Sequence, residues 1–129
     1  MHPQSLQAFV ASRAAQNAEF DPEQPMIIVL GDVVARDGRI AEALALSHEH
    51  VARSRAEPGC LAHAVHQDTE NPKRLVFVEQ WVNQGALWEH FKVPASRAFA
   101  KALATLAEQP PSIAIYEAAQ IPVPGKNAT

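Results

Sequence analysis

A chain of 129 residues is long enough to bury one domain-sized hydrophobic core. Its net charge of -3 and its 11 scattered lysines and arginines argue against nucleic acid or an anionic membrane as the main partner. No apolar run approaches the ~18 residues of a membrane span, and the N-terminus lacks the features of a secretion signal. Because Cys60 is the one cysteine, no internal disulfide can form, and a cytoplasmic location is expected.

The first 25 residues differ from the rest of the chain. The helical spacing of apolar residues such as Leu6 and Phe9 predicts a short amphipathic helix near residues 4–18. Pro22 and Pro25 then separate this helix from the domain that begins at Met26. We interpret residues 1–25 as an N-terminal extension that packs on the domain or on a partner subunit, with a frayed tail as the alternative.

Residues 26–121 alternate between strand-like and helix-like patterns, in the order β-α-β-β-α-β. The predicted strands are MIIVLGDVVA (26–35), CLAHAVHQ (60–67), RLVFVEQWV (74–82) and IAIYEAAQI (113–121). One helix is predicted from Ile40 to the EPG turn at 57–59. A second is predicted from about Gly85 to Ala107, with a break at Pro94. Residues 122–129 are expected to form a loose tail.

This order predicts an α+β, ferredoxin-like fold with two helices on one face of a four-stranded antiparallel sheet. The third strand is apolar on both faces, since Leu75 and Phe77 point one way and Val76 and Val78 the other. The helices cover only one face. We therefore expect a second copy of the sheet to cover the other in a symmetric homodimer, or the N-terminal segment to cover part of it.

The third strand also carries candidate site residues. By strand alternation, Glu79 and Trp81 share a face with Leu75 and Phe77. A buried carboxylate is costly without a partner. The sequence leaves two interpretations of Glu79 open: a residue paired with Arg or Lys at the sheet edge, or an acid in the wall of a pocket.

His90 is the leading candidate for a catalytic group. It comes three residues after Leu87 and adjoins Phe91, which places it at the border of the apolar stripe of the second helix. A histidine there can pack its ring and keep one nitrogen accessible as a proton acceptor. His63 is the next candidate. It is expected on the face of Leu61 and Val65, across the hairpin from the third strand.

The remaining histidines and Cys60 predict no further chemistry. His48 and His50 lie two residues apart on the first helix, so they cannot face one ligand together. No metal site is predicted, because the histidines lack HExxH or comparable ligand spacing. Nucleotide-binding and serine-hydrolase motifs are also missing from the sequence. Cys60 starts a strand and is interpreted as a buried filler.

Three segments together resemble one known family. "EPGCLAHAVHQD", "NPKRLVFVEQW" and "ALWEHFKVPASRAF" resemble the antibiotic biosynthesis monooxygenase superfamily, including its quinol monooxygenases, and the similarity spans residues 26–121. Many members carry a histidine directly after the helix proline. This chain has Ala95 there, so any role of that histidine cannot be carried over.

The resemblance implies a homodimer of ferredoxin-like domains with a pocket between sheet and helices. Some members oxygenate quinols or polyketide phenols with O2 and with no metal or flavin cofactor. The implied function is a cofactor-independent monooxygenase acting on a small aromatic substrate. In it His90 would be the base or orienting group, Trp81 and Phe91 the aromatic wall, and Glu79 or His63 hydrogen-bonding partners of the substrate.

Three other functions fit the same fold. One is isomerisation of a small metabolite in the same pocket. Another is a non-catalytic, dimeric binding module whose pocket is sealed by Trp88 and Phe91. The third is haem degradation, which is disfavoured because no histidine comes after His90 to act as the axial iron ligand.

Overall fold

The computed structural model describes residues 24–125, and within them the chain forms four strands and three helices. The strands are β1 (Met26–Val34), β2 (Cys60–Gln67), β3 (Arg74–Trp81) and β4 (Ser112–Ala118). The helices are α1 (Ile40–Ser54), α2 (Gln84–Lys92) and α3 (Pro94–Leu106). The helix predicted near residues 4–18 lies outside the described residues. Among the described residues, no helix is both long and apolar enough to cross a bilayer.

The strands form one sheet in the order β2-β3-β1-β4, and every neighbouring pair is antiparallel. This arrangement confirms the predicted ferredoxin-like fold. β4 ends three residues earlier than predicted, at Ala118 rather than Ile121. The strand pairing with β1 also stops at Ala118, opposite Met26, because β1 begins there.

The break predicted at Pro94 is confirmed, and it divides the second helical region into α2 and α3. Val93 between them has extended backbone angles, φ −66° and ψ 123°. A residue before proline is pushed out of the helical region by the proline ring. Proline itself is well suited to the first turn of a helix, where α3 places it. The break turns the chain so that α2 and α3 cover different parts of the sheet.

The buried face of β3 connects two separate apolar clusters. Leu75 and Phe77 belong to one cluster, which also takes in Leu103 of α3. Trp81 belongs to the other. Glu79 lies between them on the same face and is 7% exposed, as the strand alternation predicted. A polar side chain therefore interrupts the core at the point where the two clusters meet along the strand.

A β-bulge in β2 changes the predicted orientation of that strand. Cys60 pairs with Trp81 and Ala62 pairs with Gln80, so one extra residue of β2 lies between them. As a result Cys60 and His63 are both buried, while Leu61 is 45% exposed. The prediction that His63 shares a face with Leu61 is wrong, because the bulge separates the buried residues Cys60 and His63 by three positions and not by two.

Candidate active site

Glu79 is held by two neighbours on the buried face of the sheet. The Nε1–H group of Trp81 donates a hydrogen bond to Oε1 of Glu79 at 2.9 Å. Nε2 of His63 lies 3.4 Å from Oε2. Burial raises the pKa of Glu79, but its contacts with His63 and Trp81 outweigh burial, and the pKa lies below its ordinary value. Neither neighbour is Arg or Lys, so the sheet-edge interpretation of Glu79 does not hold.

The bulge in β2 is what brings His63 to Glu79. Beyond the bulge, His63 is directly opposite Glu79 in the β2–β3 ladder. Both ring nitrogens of His63 are buried without a hydrogen bond. Almost all buried polar groups in native proteins have a partner, so this imidazole calls for an explanation.

His90 lies on α2 and forms the shortest contact of the site. Its Nδ1 is 2.7 Å from Oε1 of Glu57, a residue of the EPG turn. A carboxylate only accepts hydrogen bonds, so Nδ1 carries a proton, and in the neutral imidazole Nε2 is then the nitrogen with the lone pair. Both residues are well covered, since the side chain of His90 is 4% and that of Glu57 16% exposed. Asn83 caps α2 by accepting a hydrogen bond from Ala86 N at 2.9 Å.

His50 completes a group of three buried histidines. It lies on the buried side of α1 with Ser47 and Ser54, and its ring stacks on Phe99 at 4.0 Å. The ring centre of His50 lies 5.2 Å from that of His63 and 5.3 Å from that of His90. Burial, and then repulsion from the other two histidines, lowers the pKa of His50 to about 3. His50 is therefore neutral at pH 7.

A pocket of about 500 Å³ opens next to these histidines. Its polar lining residues include His50, Glu79, His90 and, on α3, Ser96 and Arg97. Its aromatic walls are Phe77, Phe91 and Phe99. Apolar walls with a few converging polar groups are the usual make-up of a small-molecule site. His90 and Glu57 also line a second, more open cleft of about 420 Å³.

The five residues singled out in the sequence fall into two groups. Glu79, His90 and Phe91 line the larger pocket. Trp81 and His63 are fully buried and lie behind that lining, with the Trp81 ring 4.7 Å from that of His90. The structure thus places Trp81 as a support for Glu79 and His90.

His50 and Glu57 contact the candidate catalytic residues, and neither was predicted as a site residue from the sequence. His50 was paired with His48 and dismissed, although its own spacing from Ala43 and Ser47 places it on the buried stripe of α1. Glu57 was interpreted only as part of a turn. Trp88 is 42% exposed and packs on Phe91 with ring centres 5.6 Å apart, outside the lining of the larger pocket.

Solved structures of similar fold come from several organisms. A proposed antibiotic biosynthesis monooxygenase from Deinococcus radiodurans is 28% identical, with a TM-score of 0.71, over 75% of this chain and 96% of that one. A conserved protein from Methanosarcina mazei Go1 is 23% identical, with a TM-score of 0.70, over 73% of this chain and 93% of that one. The second likeness, at this identity, concerns the fold alone.

Sequence comparison agrees with the fold. An uncharacterized protein of Synechocystis sp. is 32% identical over 94 residues, which are 73% of this chain and 64% of that protein. The chain thus matches less than two thirds of the length of this relative. Residues 26–102, more than half of the chain, match the sequence model described as antibiotic biosynthesis monooxygenase. The chain therefore belongs to the antibiotic biosynthesis monooxygenase family.

Proposed function

We propose that the protein is a monooxygenase that oxidises a small electron-rich aromatic, a phenol or hydroquinone, with O2. The observation that carries this proposal is the His90–Glu57 pair, 2.7 Å apart, beside a pocket with aromatic walls. The reaction needs a proton acceptor next to an apolar cavity, and this pair supplies one. No metal or flavin takes part in the proposed reaction.

His90 acts as the general base. With Nδ1 donating to Glu57, Nε2 can accept the phenolic proton of a substrate bound in the pocket. The Glu57 carboxylate then stabilises the imidazolium that forms, and it holds the ring in one tautomer. Deprotonation turns the phenol into a phenolate, which is a much better electron donor to O2.

The other polar groups of the pocket orient the substrate. The Ser96 hydroxyl is buried and has no hydrogen-bond partner among the described residues, so it can donate to a substrate oxygen. Glu79 can accept from a second hydroxyl, such as that of a hydroquinone. The faces of Phe77, Phe91 and Phe99 offer stacking surfaces for one aromatic ring.

The electrons for the reaction come from the substrate itself. One atom of O2 is inserted at an unsubstituted ring carbon, and the other leaves as water. The inserted atom becomes a carbonyl oxygen in the product of a phenol and a hydroxyl oxygen in the product of a hydroquinone. A phenol thereby becomes a quinone, and a hydroquinone becomes a hydroxyquinone. The ring loses the two hydrogens that appear in the water, so no external reductant is required.

The test is O2 consumption by the purified, metal-free chain with a panel of hydroquinones and phenols. His90→Ala should lower turnover at least ~100-fold, because the proton acceptor is lost. His48→Ala is the matched control, since His48 is an exposed histidine of α1 and its replacement should leave turnover within about twofold of the wild type.

Two results would contradict the proposal. Undiminished turnover in His90→Ala would remove His90 from the role of base. An absence of O2 uptake with every compound, in a protein that binds them, would favour isomerisation or a binding function in the same pocket.

We also propose that the protein forms a homodimer through the outer face of the sheet. Leu30 on β1 is 42% exposed, and it pairs with Val78 on one side and Ala114 on the other. Ala64 of β2 extends this row across the whole sheet. A continuous apolar surface of this kind on a soluble domain is typical of an interface.

A further inference from the structure

We propose that His50, His63 and His90 form a binding site for one divalent transition metal ion of the zinc or copper type. Each of the three residues offers a ring nitrogen, and the three ligand atoms lie within 4.8 Å of one another. The residues come from α1, β2 and α2, so the fold and not a local motif assembles the site. This is why ligand spacing in the sequence gave no sign of it.

Unpartnered nitrogens are the first argument for a ligand at this point. Nδ1 of His50 and both ring nitrogens of His63 are buried without a hydrogen bond. His50 is 5% exposed and His63 is 2% exposed. A buried polar atom without a partner is unfavourable. An ion bound between the rings would take one nitrogen from each histidine, and the other ring nitrogen of His63, Nε2, faces Glu79.

Carboxylates behind the histidines are the second argument. Histidine ligands of metals usually have a carboxylate or carbonyl at the ring nitrogen that does not bind the metal, because this partner fixes the tautomer and orientation of the ring. Glu57 occupies that position for His90, at 2.7 Å. Glu79 lies 3.4 Å from Nε2 of His63. Two of the three histidines therefore have the second partner that a metal ligand needs.

The ligand set selects the kind of ion. Three neutral imidazoles suit zinc and copper, whereas calcium and magnesium prefer oxygen ligands. Around a tetrahedral ion with Zn–N bonds of ~2.0–2.1 Å, ligand nitrogens are roughly 3.3 Å apart. From the 4.8 Å limit, the histidines would have to close by at most ~1.5 Å, which side-chain rotation can provide. His50 and His90 also line the pocket, which gives a small molecule a route to the proposed ion.

Metal binding and the proposed base function exclude each other. A metal ion on Nε2 of His90 uses the lone pair that would accept the substrate proton. The ion is therefore an inhibitor of the proposed oxygenation. This consequence depends on the proposed function, but the binding itself does not.

The experiment is calorimetric titration of the tag-free, chelator-treated full chain with Zn²⁺, and with Co²⁺ together with its absorption spectrum. We expect one ion per chain. His50→Ala and His63→Ala should each weaken binding at least about 100-fold. His48→Ala is the matched control, because His48 lies on the same helix as His50 with its side chain exposed, and it should bind within about threefold of the wild type.

Glu57→Gln is a second variant for the case that a core substitution prevents folding. Its side chain lies partly at the surface, and loss of the carboxylate partner should weaken binding about 10–100-fold. Absence of saturable binding at one equivalent would overturn the proposal. A loss of affinity in His48→Ala as large as in His50→Ala would also overturn the proposal, since the ion would then lie on surface histidines. Binding without inhibition of O2 uptake would overturn only the base role of His90.

Discussion

Three imidazoles packed against one another decide how much positive charge the site can hold. Their ring centres lie 5.2 to 5.7 Å apart, and at such distances two protonated rings repel each other strongly in a poorly solvated environment. The low pKa of His50, about 3, results from burial and from these neighbours. A neutral cluster is the form in which lone pairs are available for a proton or a metal.

Acid should destabilise the metal-free protein through His50. Its pKa is about 3 in the folded chain against an ordinary value of 6.5, so the unfolded chain binds a proton first as the pH falls. The contribution of His50 to stability is complete above pH 6.5 and declines between pH 6.5 and 3. Denaturant unfolding at pH 7.5, 6 and 5 measures the effect.

His50→Gln separates this contribution from the rest of the acid response. In this variant the free energy of unfolding should depend less steeply on pH than in the wild type. The difference in slope should correspond to at most about one proton taken up on unfolding. His48→Gln removes an exposed histidine of the same helix and should keep the wild-type slope. Equal slopes in the wild type and His50→Gln would show that His50 is protonated as easily in the folded chain.

Sequence periodicity was sufficient for some residues of the site and insufficient for others. Glu79 and Trp81 were placed correctly on the buried face, because β3 is a regular strand. His50 could have been recognised by its helical spacing from Ser47, had it been considered without His48. The contact between His90 and Glu57 joins residues 33 positions apart, and no local pattern carries that information.

One glycine determines how closely the EPG turn approaches α2. Gly59 has φ +83°, and a Cβ there would lie 2.6 Å from Cβ of Ala86 and 2.9 Å from Cγ2 of Val82. The turn can therefore approach α2 only without a side chain at this position. This approach is what brings Glu57 within reach of His90.

Gly59→Ala should destabilise the protein more than Gly38→Ala. Both glycines have positive φ, but a Cβ at Gly38 would meet nothing within 4 Å. Gly38→Ala should cost about 1 kcal/mol of backbone strain. Gly59→Ala should cost ~1–3 kcal/mol more because of the overlap with α2. Chemical denaturation measures both, and equal costs would contradict the tight approach of the turn.

Elements differed in how well the sequence predicted them. The helix break at Val93 and Pro94 was predictable because proline acts on its immediate neighbours. The bulge at Leu61 was not, because an extra residue in β2 shows only when the partner strand is known. The face of each residue between Cys60 and His63 depends on that pairing.

The exposed apolar residues on the outer face of the sheet predict that two copies of the chain associate there. Leu30→Glu would place a charge in the centre of the proposed interface and should weaken the dimer at least about tenfold. Ala104→Glu is the control, on the exposed side of α3. Sedimentation velocity over a dilution series gives the result, and a wild-type chain that is monomeric at every concentration would contradict the proposed dimer.

The overall architecture was predictable because strand and helix patterns alternate clearly from Met26 onwards. The side chains that line the pocket were harder to predict from the sequence. Which side chains reach a cavity depends on how α1, α2 and α3 are set against the sheet, and this depends in turn on packing between distant parts of the chain. Phe99 and Ser96 were therefore placed on a helix by the sequence and in the pocket only by the structure.

The position of His90 between two cavities has a consequence for the order of events in the proposed reaction. One side of its ring belongs to the aromatic pocket, and the other, through Glu57, to the open cleft. Once Nε2 holds the substrate proton, the proton on Nδ1 can pass through Glu57 to water in the cleft while the organic intermediate stays in place. In the proposed reaction, proton release and product release would use separate exits, and Nε2 becomes a base again only after the ring returns to the tautomer with the proton on Nδ1.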